Sequence, residues 1–547
     1  MAIFNSIFSR LKFSGKAYFI TTLVVLSILF RFANLDLKVY WRDEALTSLQ
    51  VAGYSQTEFI QTAFNSEITT PLALQRYQEI NRGRGVRDTI KVLAEETPEH
   101  PPLYFIMLRI WANFFGSSVV AYRSFSALIS LLVLPCVYYL CLELFSSPRV
   151  GYFGMAIAAL SPFFIAYAQE AREYGLWMVA ILISSQTLLR AMRLNTWQSW
   201  SIYAVALAFS FYTYLFSIFV LIAQGIYVLA IGKFRFVRVA SRNENRTFGA
   251  FVSAALVGIL TLVPWIVTFL THLTEFNRSM AWSFKQHLSL LELGRAWLIL
   301  PRLLFFDIDL PRIGFFSTYY LVAISTALFS CYSIYFVIRN TPTKVWLLLI
   351  TLIVFPFLFL ALPDVIIGGT RSVNARYLIP AYLGIELCVA YLFSARAMQA
   401  INRKIWQIGF ATLLSIATLA GVINLTMDYS FAKDGQAIIK VADSIALSPQ
   451  SLVIANPYAY NPTKILALSR RLNSDVKVQL LPETKTPTIP NGFKNYFFYS
   501  PQVPDTWKEF VSNRGFESVK ISKDSDEILW IYRKIIKGKN YEKDKIS

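Results

Sequence analysis

Cysteine and histidine are scarce in this chain, with four and three among 547 residues. Cys136, Cys141, Cys331 and Cys388 all fall inside apolar segments, and none stands at zinc-ligand spacing from a histidine. A disulfide framework and a structural zinc cluster are therefore excluded as organising principles. A glycine-rich phosphate loop is also missing, since Gly368-Gly369 alone does not make one. The chain has no internal repeat and no low-complexity tract. What it has in surplus is apolar and aromatic side chain, 55% and 16% of all residues. That composition rules out an ordinary soluble globular protein. Windows long enough to cross about 30 Å of hydrocarbon recur along the first four-fifths of the chain. The formal net charge of +19 would suggest nucleic acid in a soluble protein. Here the basic residues fall in short loops between apolar segments, the distribution of topogenic charge, and no nucleic-acid partner is implied.

Apolar spans read as Ala17–Phe30, Val119–Leu142, Val150–Ala168, Leu176–Met192, Trp200–Tyr214, Leu215–Ile231, Phe248–Leu270, Ile313–Ile338, Val345–Leu362, Tyr377–Phe393 and Ile405–Leu425. The expected fold is thus a polytopic α-helical membrane protein with about 11 transmembrane helices. No small-residue cleavage site follows Phe30, so the first segment reads as a retained span. Short-loop charge orients the chain: Arg10, Lys12, Lys16, Arg190, Arg193, the cluster Lys233 to Arg246, Arg339, Lys344, Arg396, Arg403 and Lys404 share one side. The positive-inside rule makes that side cytoplasmic, giving N-in and C-out. Two long loops, about 35–118 and about 271–312, then share the extracytoplasmic face. Residues 1–427 form the membrane domain. From 428 to 547, short strand-like runs (Ser451–Asn456, Val476–Leu481, Asn495–Ser500, Glu527–Tyr532) alternate with helix-compatible stretches, which predicts a small extracytoplasmic α/β domain.

The ionisable residues outside the basic loops gather at one rim. Asp43 and Glu44 follow the first span, an unusual place for acid at a membrane edge. His100-Pro101-Pro102 closes the first loop and Arg123 opens the second span. Gln169-Glu170-Ala171-Arg172-Glu173-Tyr174 follows the third, Tyr212 and Tyr214 end the fifth, and His272, Glu275 and Arg278 follow the seventh. Arg371, Arg376 and Tyr377 precede the tenth, and Glu386 lies within it. Carboxylates and guanidinium groups held together suit a group transfer with an anionic leaving group. A lipid phosphate leaving from a sugar needs arginine forks to take up its charge. The incoming hydroxyl needs a carboxylate to take its proton. Such chemistry requires no cofactor. Two carboxylates and a histidine could hold a divalent metal, but no ligand spacing points to one. Each feature also has a plainer reading. Asp43-Glu44 could be a solvated loop pair, His100 a helix cap before two stiff prolines, Arg172 an interface arginine beside Glu170 or Glu173, and Tyr174 a belt aromatic. A transporter or lipid-linked-sugar flippase is the competing class, although the polar residues sit at one face and no repeat is present.

In combination these motifs resemble the protein O-mannosyltransferase and aminoarabinose transferase families of the GT-C glycosyltransferase superfamily. The resemblance rests on Asp43-Glu44 after the first span, His100-Pro101-Pro102-Leu103-Tyr104 at the end of the first loop, Arg123-Ser124, Gln169-Glu170-Ala171-Arg172, and Arg376-Tyr377-Leu378 with Pro380. It covers residues 1–425 as architecture, with specific motifs in the first 175. It implies a polyprenyl-phosphate-sugar donor, an inverting transfer to a hydroxyl acceptor (glycan, lipid or protein), and a place in the bacterial inner membrane with the site facing outward. By position it implies Asp43 as base with Glu44 beside it, and Arg172 and Arg376 on the lipid phosphate. His100, Arg123, Gln169, Glu170, Tyr174, Arg371 and Tyr377 complete the implied substrate-binding set. The second long loop has no β-trefoil-sized insertion, unlike the mannosyltransferases proper, which weakens the case for a protein acceptor.

Overall fold

The computed structural model describes residues 15–236, 242–308, 317–399, 402–429, 435–458, 461–483, 490, 492–500, 507, 509, 516–520 and 529–534. Arg10, Lys12 and Arg238 of the charge pattern, residues 309–316 at the start of one expected span, and residues 527–528 of the last expected strand lie outside the described residues. Seven described helices are long and apolar enough to cross a membrane: Val119–Phe145, Tyr174–Leu194, Arg246–Thr271, Thr318–Asn340, Thr343–Ile366, Ala375–Arg396 and Arg403–Thr426. The chain is a polytopic helical membrane protein. The pair Pro148–Leu160 and Pro162–Ala168, bent by 58°, makes an eighth if counted as one span. The break falls at Pro162, which can open a helix but cannot continue one.

The expected number was about eleven. The three other expected spans are helices Gly15–Phe32 with 18 residues, Trp197–Thr213 with 17 and Ser217–Phe236 with 20. At about 1.5 Å per residue these run to about 25–30 Å, close to the thickness of the hydrocarbon core.

The chain divides into two compact units. One comprises Met1–Leu37, Leu93–Trp111 and Val120–Ala432; the other comprises Lys38–Val92, Ala112–Val119 and Lys433–Ser547. Composition had suggested a single cut near 427, with the first loop kept in the membrane part. The contacts instead group residues 38–92 with the C-terminal segment.

In the first unit, helix Ala375–Arg396 is the most enclosed span, whereas Thr318–Asn340 and Arg403–Thr426 leave most of their apolar surface outward. Arg31, fully buried near the end of helix Gly15–Phe32, ties three helices together. Its Nε donates to Ser130 Oγ (3.1 Å), Nη1 to the Ala159 carbonyl (2.9 Å) and Nη2 to the Ala158 carbonyl (3.0 Å). Glu386 is buried on the enclosed span. Small residues let the helices approach closely, the usual basis of packing in lipid. A Cβ added at Gly154 would fall 2.8 Å from Cγ1 of Val137 on the neighbouring helix Val133–Phe145.

The second unit is built on a six-stranded sheet of order β1-β3-β2-β4-β6-β5. Its strands are β1 (Ile68–Thr69), β2 (Ser451–Ala455), β3 (Lys477–Leu480), β4 (Asn495–Tyr499), β5 (Phe516–Lys520) and β6 (Leu529–Lys534). β2 runs parallel to β3 and β4; β1, β6 and β5 are antiparallel to their neighbours. Central β2 is buried along its whole length, as expected of a parallel strand covered on both faces. Leu452, Ile454, Leu481, Tyr496, Phe498 and Trp507 form a core cluster on it. Four strands coincide with the runs expected from sequence. β1 and β5 were not expected, and β1 comes from the first loop.

The packing of Gly154 yields a signed expectation. Gly154→Ala should lower the unfolding temperature in detergent, since overpacking costs about 1–3 kcal/mol. Gly249→Ala should be neutral or raise it, because a Cβ there meets nothing within 4 Å and alanine is the better helix former by about 0.5–1 kcal/mol.

Candidate active site

Two turns of the first unit meet at a buried carboxylate. Pro101 and Pro102 precede helix Leu103–Phe115 and leave His100 in a turn, its N–H bonded to the Thr97 carbonyl at 2.9 Å. Residues 169–173 form the break before helix Tyr174–Leu194, and Glu173 takes the cap position there. Its carboxylate has no exposed surface. His100 Nδ1 lies 2.9 Å from Glu173 Oε1, and Arg172 Nη2 lies 3.3 Å from the same oxygen. Arg172 Nη2 is also 3.2 Å from His100 Nε2. A guanidinium can only donate, so Nε2 accepts from Arg172 and Nδ1 is the ring nitrogen that faces Glu173. Burial alone would raise the Glu173 pKa, but the charge of Arg172 and the His100 hydrogen bond prevail and hold it down at about 2. The carboxylate is ionised throughout the physiological range.

Glu99, one residue before His100, behaves oppositely. Burial pushes its pKa above the usual carboxylate range, against the pull of His100 and of Ser279 Oγ, which donates to Oε1 at 2.6 Å. Trp265 Nε1 donates to the Pro98 carbonyl at 2.9 Å and fixes the same turn.

An aromatic wall leads from His100 to a second guanidinium. The imidazole stacks on Tyr214 (centroids 6.3 Å apart), Tyr214 meets Phe216 at 5.2 Å, and Phe216 meets Tyr377 at 4.9 Å. Tyr174 stands edge-on to Tyr214 at 6.0 Å. Arg376 lies over the rings of Trp282 (5.5 Å) and Tyr377 (5.3 Å), and Arg172 lies 5.7 Å from Tyr174. The charges of both arginines act on Tyr174, which places the two guanidinium groups in one electrostatic neighbourhood. Arginine on aromatic faces keeps its planar fork preorganised.

The other expected site residues divide between units and tasks. Gln169 Nε2 donates to the carbonyls of Phe30 and Ala33, each at 2.9 Å, and Arg123 Nη1 to that of Leu35 at 2.7 Å. Both therefore satisfy the carbonyls left over where the first helix ends. Arg371 is held by Asp364, with Nε 2.7 Å from Oδ1, and by the Gly368 carbonyl, while the Ser372 N–H bonds to Asp364 Oδ2 at 2.6 Å. It closes the loop ahead of Arg376. Glu170 is fully buried in the same turn as Arg172.

Asp43 and Glu44 belong to the second unit. They lie in the first turn of helix Arg42–Val51, where the helix dipole favours acid. Arg42 donates to Asp43 Oδ1 from Nε (3.1 Å) and Nη2 (2.9 Å). Both carboxylates are buried. Sequence reasoning passed over Glu99, Ser279, Trp282 and Asp364. Only Glu99, adjacent to His100, carried a local signal. Among the described residues no group of three or more His, Cys, Asp or Glu is placed to hold a metal ion.

The family model described as dolichyl-phosphate-mannose-protein mannosyltransferase matches residues 99–267, the segment that holds His100 and Arg172. No curated protein sequence matches the chain. Among solved structures, the fold is similar to that of ArnT from Cupriavidus metallidurans bound to undecaprenyl phosphate. The TM-score is 0.52 and the identity 13%, over 95% of this chain and 98% of that one. The apo structure of the same protein gives a TM-score of 0.53 at 12% identity over the same shares.

The low pKa of Glu173 gives a pH test. A depressed carboxylate stabilises the fold above its ordinary pKa of 4.5, and that stability is lost as pH falls toward 2. The unfolding temperature should fall across this window, and Glu173→Gln should flatten the fall while lowering the temperature at neutral pH. An unchanged slope in Glu173→Gln would remove the ion pair from the account.

Proposed function

From a chain of GT-C fold, whose residues 99–267 match the mannosyltransferase family, we propose a membrane glycosyltransferase that uses a polyprenyl-phosphate-linked sugar. The observation that carries this reading is the pairing of Arg172 and Arg376 along one aromatic wall. Two guanidinium groups suit the two charges of a lipid phosphate as it departs, and the aromatic faces suit a sugar ring or prenyl chain. The undecaprenyl phosphate bound by the structurally similar ArnT supports the donor class.

In the proposed reaction the acceptor hydroxyl attacks the anomeric carbon from the side opposite the phosphate. The new C–O bond forms as the bond from the anomeric carbon to the phosphate oxygen breaks. The electron pair goes to that oxygen, and the configuration inverts. The hydroxyl proton passes to a carboxylate, which we assign to Asp43, with Glu44 beside it. Arg42 lies against this carboxylate, with Nη2 2.9 Å from Asp43 Oδ1. Phosphate leaves as an anion, so no general acid is needed, and Arg172 and Arg376 take up its charge. Glu173 and His100 orient Arg172. The site faces the extracytoplasmic side, as the loop charges require; the acceptor is a hydroxyl of a glycan, lipid or protein. No cofactor enters these steps.

The test uses purified protein in detergent with undecaprenyl phosphates carrying mannose, arabinose or aminoarabinose, and a cell-envelope extract as acceptor. Release of undecaprenyl phosphate that depends on the extract, with an inverted product by NMR, is the expected result. Asp43→Asn should cut turnover by roughly 10²–10⁴-fold, the usual worth of a general base, with expression unchanged. Full activity in both Asp43→Asn and Glu44→Gln would sink the base assignment. Passage of intact donor across a vesicle membrane without release would favour a flippase.

A further inference from the structure

The second unit joins two distant parts of the chain around the carboxylate pair. Helix Asn461–Ser469 is buried along its whole length and packs on helix Arg42–Val51. The last carbonyls of any helix lack partners within it, and here Gln75 Nε2 donates to the Ser469 carbonyl at 2.7 Å. One residue further, Arg470 Nε donates to Gln78 Oε1 at 2.7 Å. A guanidinium cannot accept, so this bond fixes which way the Gln78 amide points. The oxygen faces Arg470, and the NH₂ group is left toward the Ala45 carbonyl, 3.4 Å away. Gln78 has no exposed surface, so its orientation has no solvent to fall back on. The guanidinium carbon of Arg470 also lies 5.3 Å from the centre of the Tyr40 ring. Arg470 therefore reaches the chain on both sides of Asp43-Glu44: directly at Tyr40 before it, and through Gln78 at Ala45 after it.

We propose that Arg470 is a positioning residue for the Asp43 and Glu44 carboxylates, acting through Gln78 and Tyr40 to fix the first turn of helix Arg42–Val51. The C-terminal segment then serves the reaction by holding this turn as well as by any contact with an acceptor. The proposal rests on the reading of Asp43 as the base. Methionine at 470 keeps much of the volume and removes both the fork and the charge. Lysine can still donate to Gln78 and lie on the Tyr40 ring, although without the fork.

The experiment uses the full-length protein in detergent and two readouts. In amide hydrogen exchange, Arg470→Met should raise exchange in residues 42–51 by about tenfold, leave helix Tyr174–Leu194 unchanged, and be largely rescued by Arg470→Lys. In turnover of the undecaprenyl-phosphate sugars above, Arg470→Met should lower kcat on the order of 10- to 100-fold with the donor KM unchanged. Gln78→Leu should do the same, and the double variant should be no worse than either single one. Wild-type exchange in residues 42–51 of Arg470→Met overturns the proposal, as does equal loss in Arg470→Lys and Arg470→Met. An active Asp43→Asn would instead defeat the base assignment while leaving the exchange result in place, so the two failures are distinguishable.

Discussion

A charge enclosed in apolar surroundings must be paired, and this requirement organises the first unit. A lone buried ion costs several kcal/mol even after relaxation. Glu173, with no exposed surface, is ionised only because Arg172 and His100 converge on one of its oxygens. To meet there, the turn at 169–173 and the turn at 97–102 must come together from segments some 70 residues apart, as the separation of 72 between Arg172 and His100 records. The same requirement recurs at Arg371 with Asp364, while at Arg31 the buried guanidinium is met by a hydroxyl and two carbonyls of neighbouring helices. Each of these contacts fixes a point between helices or turns.

The arginines of this unit sort by what they touch. Arg123 and Arg371 direct donors at backbone carbonyls or a carboxylate, and their effect is to hold the ends of helices and a loop. Arg172 and Arg376 lie beside aromatic rings along a single wall, Arg172 being held in addition by Glu173 and His100. Aromatic contact orients a guanidinium. The proposed lipid-phosphate chemistry draws on this second pair.

Much of this was legible in the sequence where the signal is local. Apolar spans, the Pro101-Pro102 turn that leaves His100 out of a helix, the Gln169–Tyr174 break and four of the strands all follow from runs of a few residues. What was not legible depends on partners far away in the chain. Nothing near Gln169 and Arg123 in the sequence shows that the carbonyls of Phe30, Ala33 and Leu35 are their partners. Ser279 gives no hint of Glu99, 180 positions away. β1 has only two residues, too few for any periodicity, and among the described residues its strand partner is β3. The boundary near 427 followed a real change in composition, but composition does not report that residues 38–92 pack with what comes after it.

That last feature bears on how the protein is made. Gln479 bonds to the Ser66 carbonyl across 413 positions of sequence, and among the described residues β1 pairs only with β3. A ribosome adding roughly 5–20 residues per second would deliver β3 tens of seconds after β1. Through that interval the first loop must wait with its acidic helix unsupported and its strand edge bare, while successive spans are inserted. Edges left open in this way invite wrong pairing. The first loop keeps the hazard small by offering a strand of only two residues, so that the sheet gains its first-loop edge last, once the C-terminal segment has folded onto it.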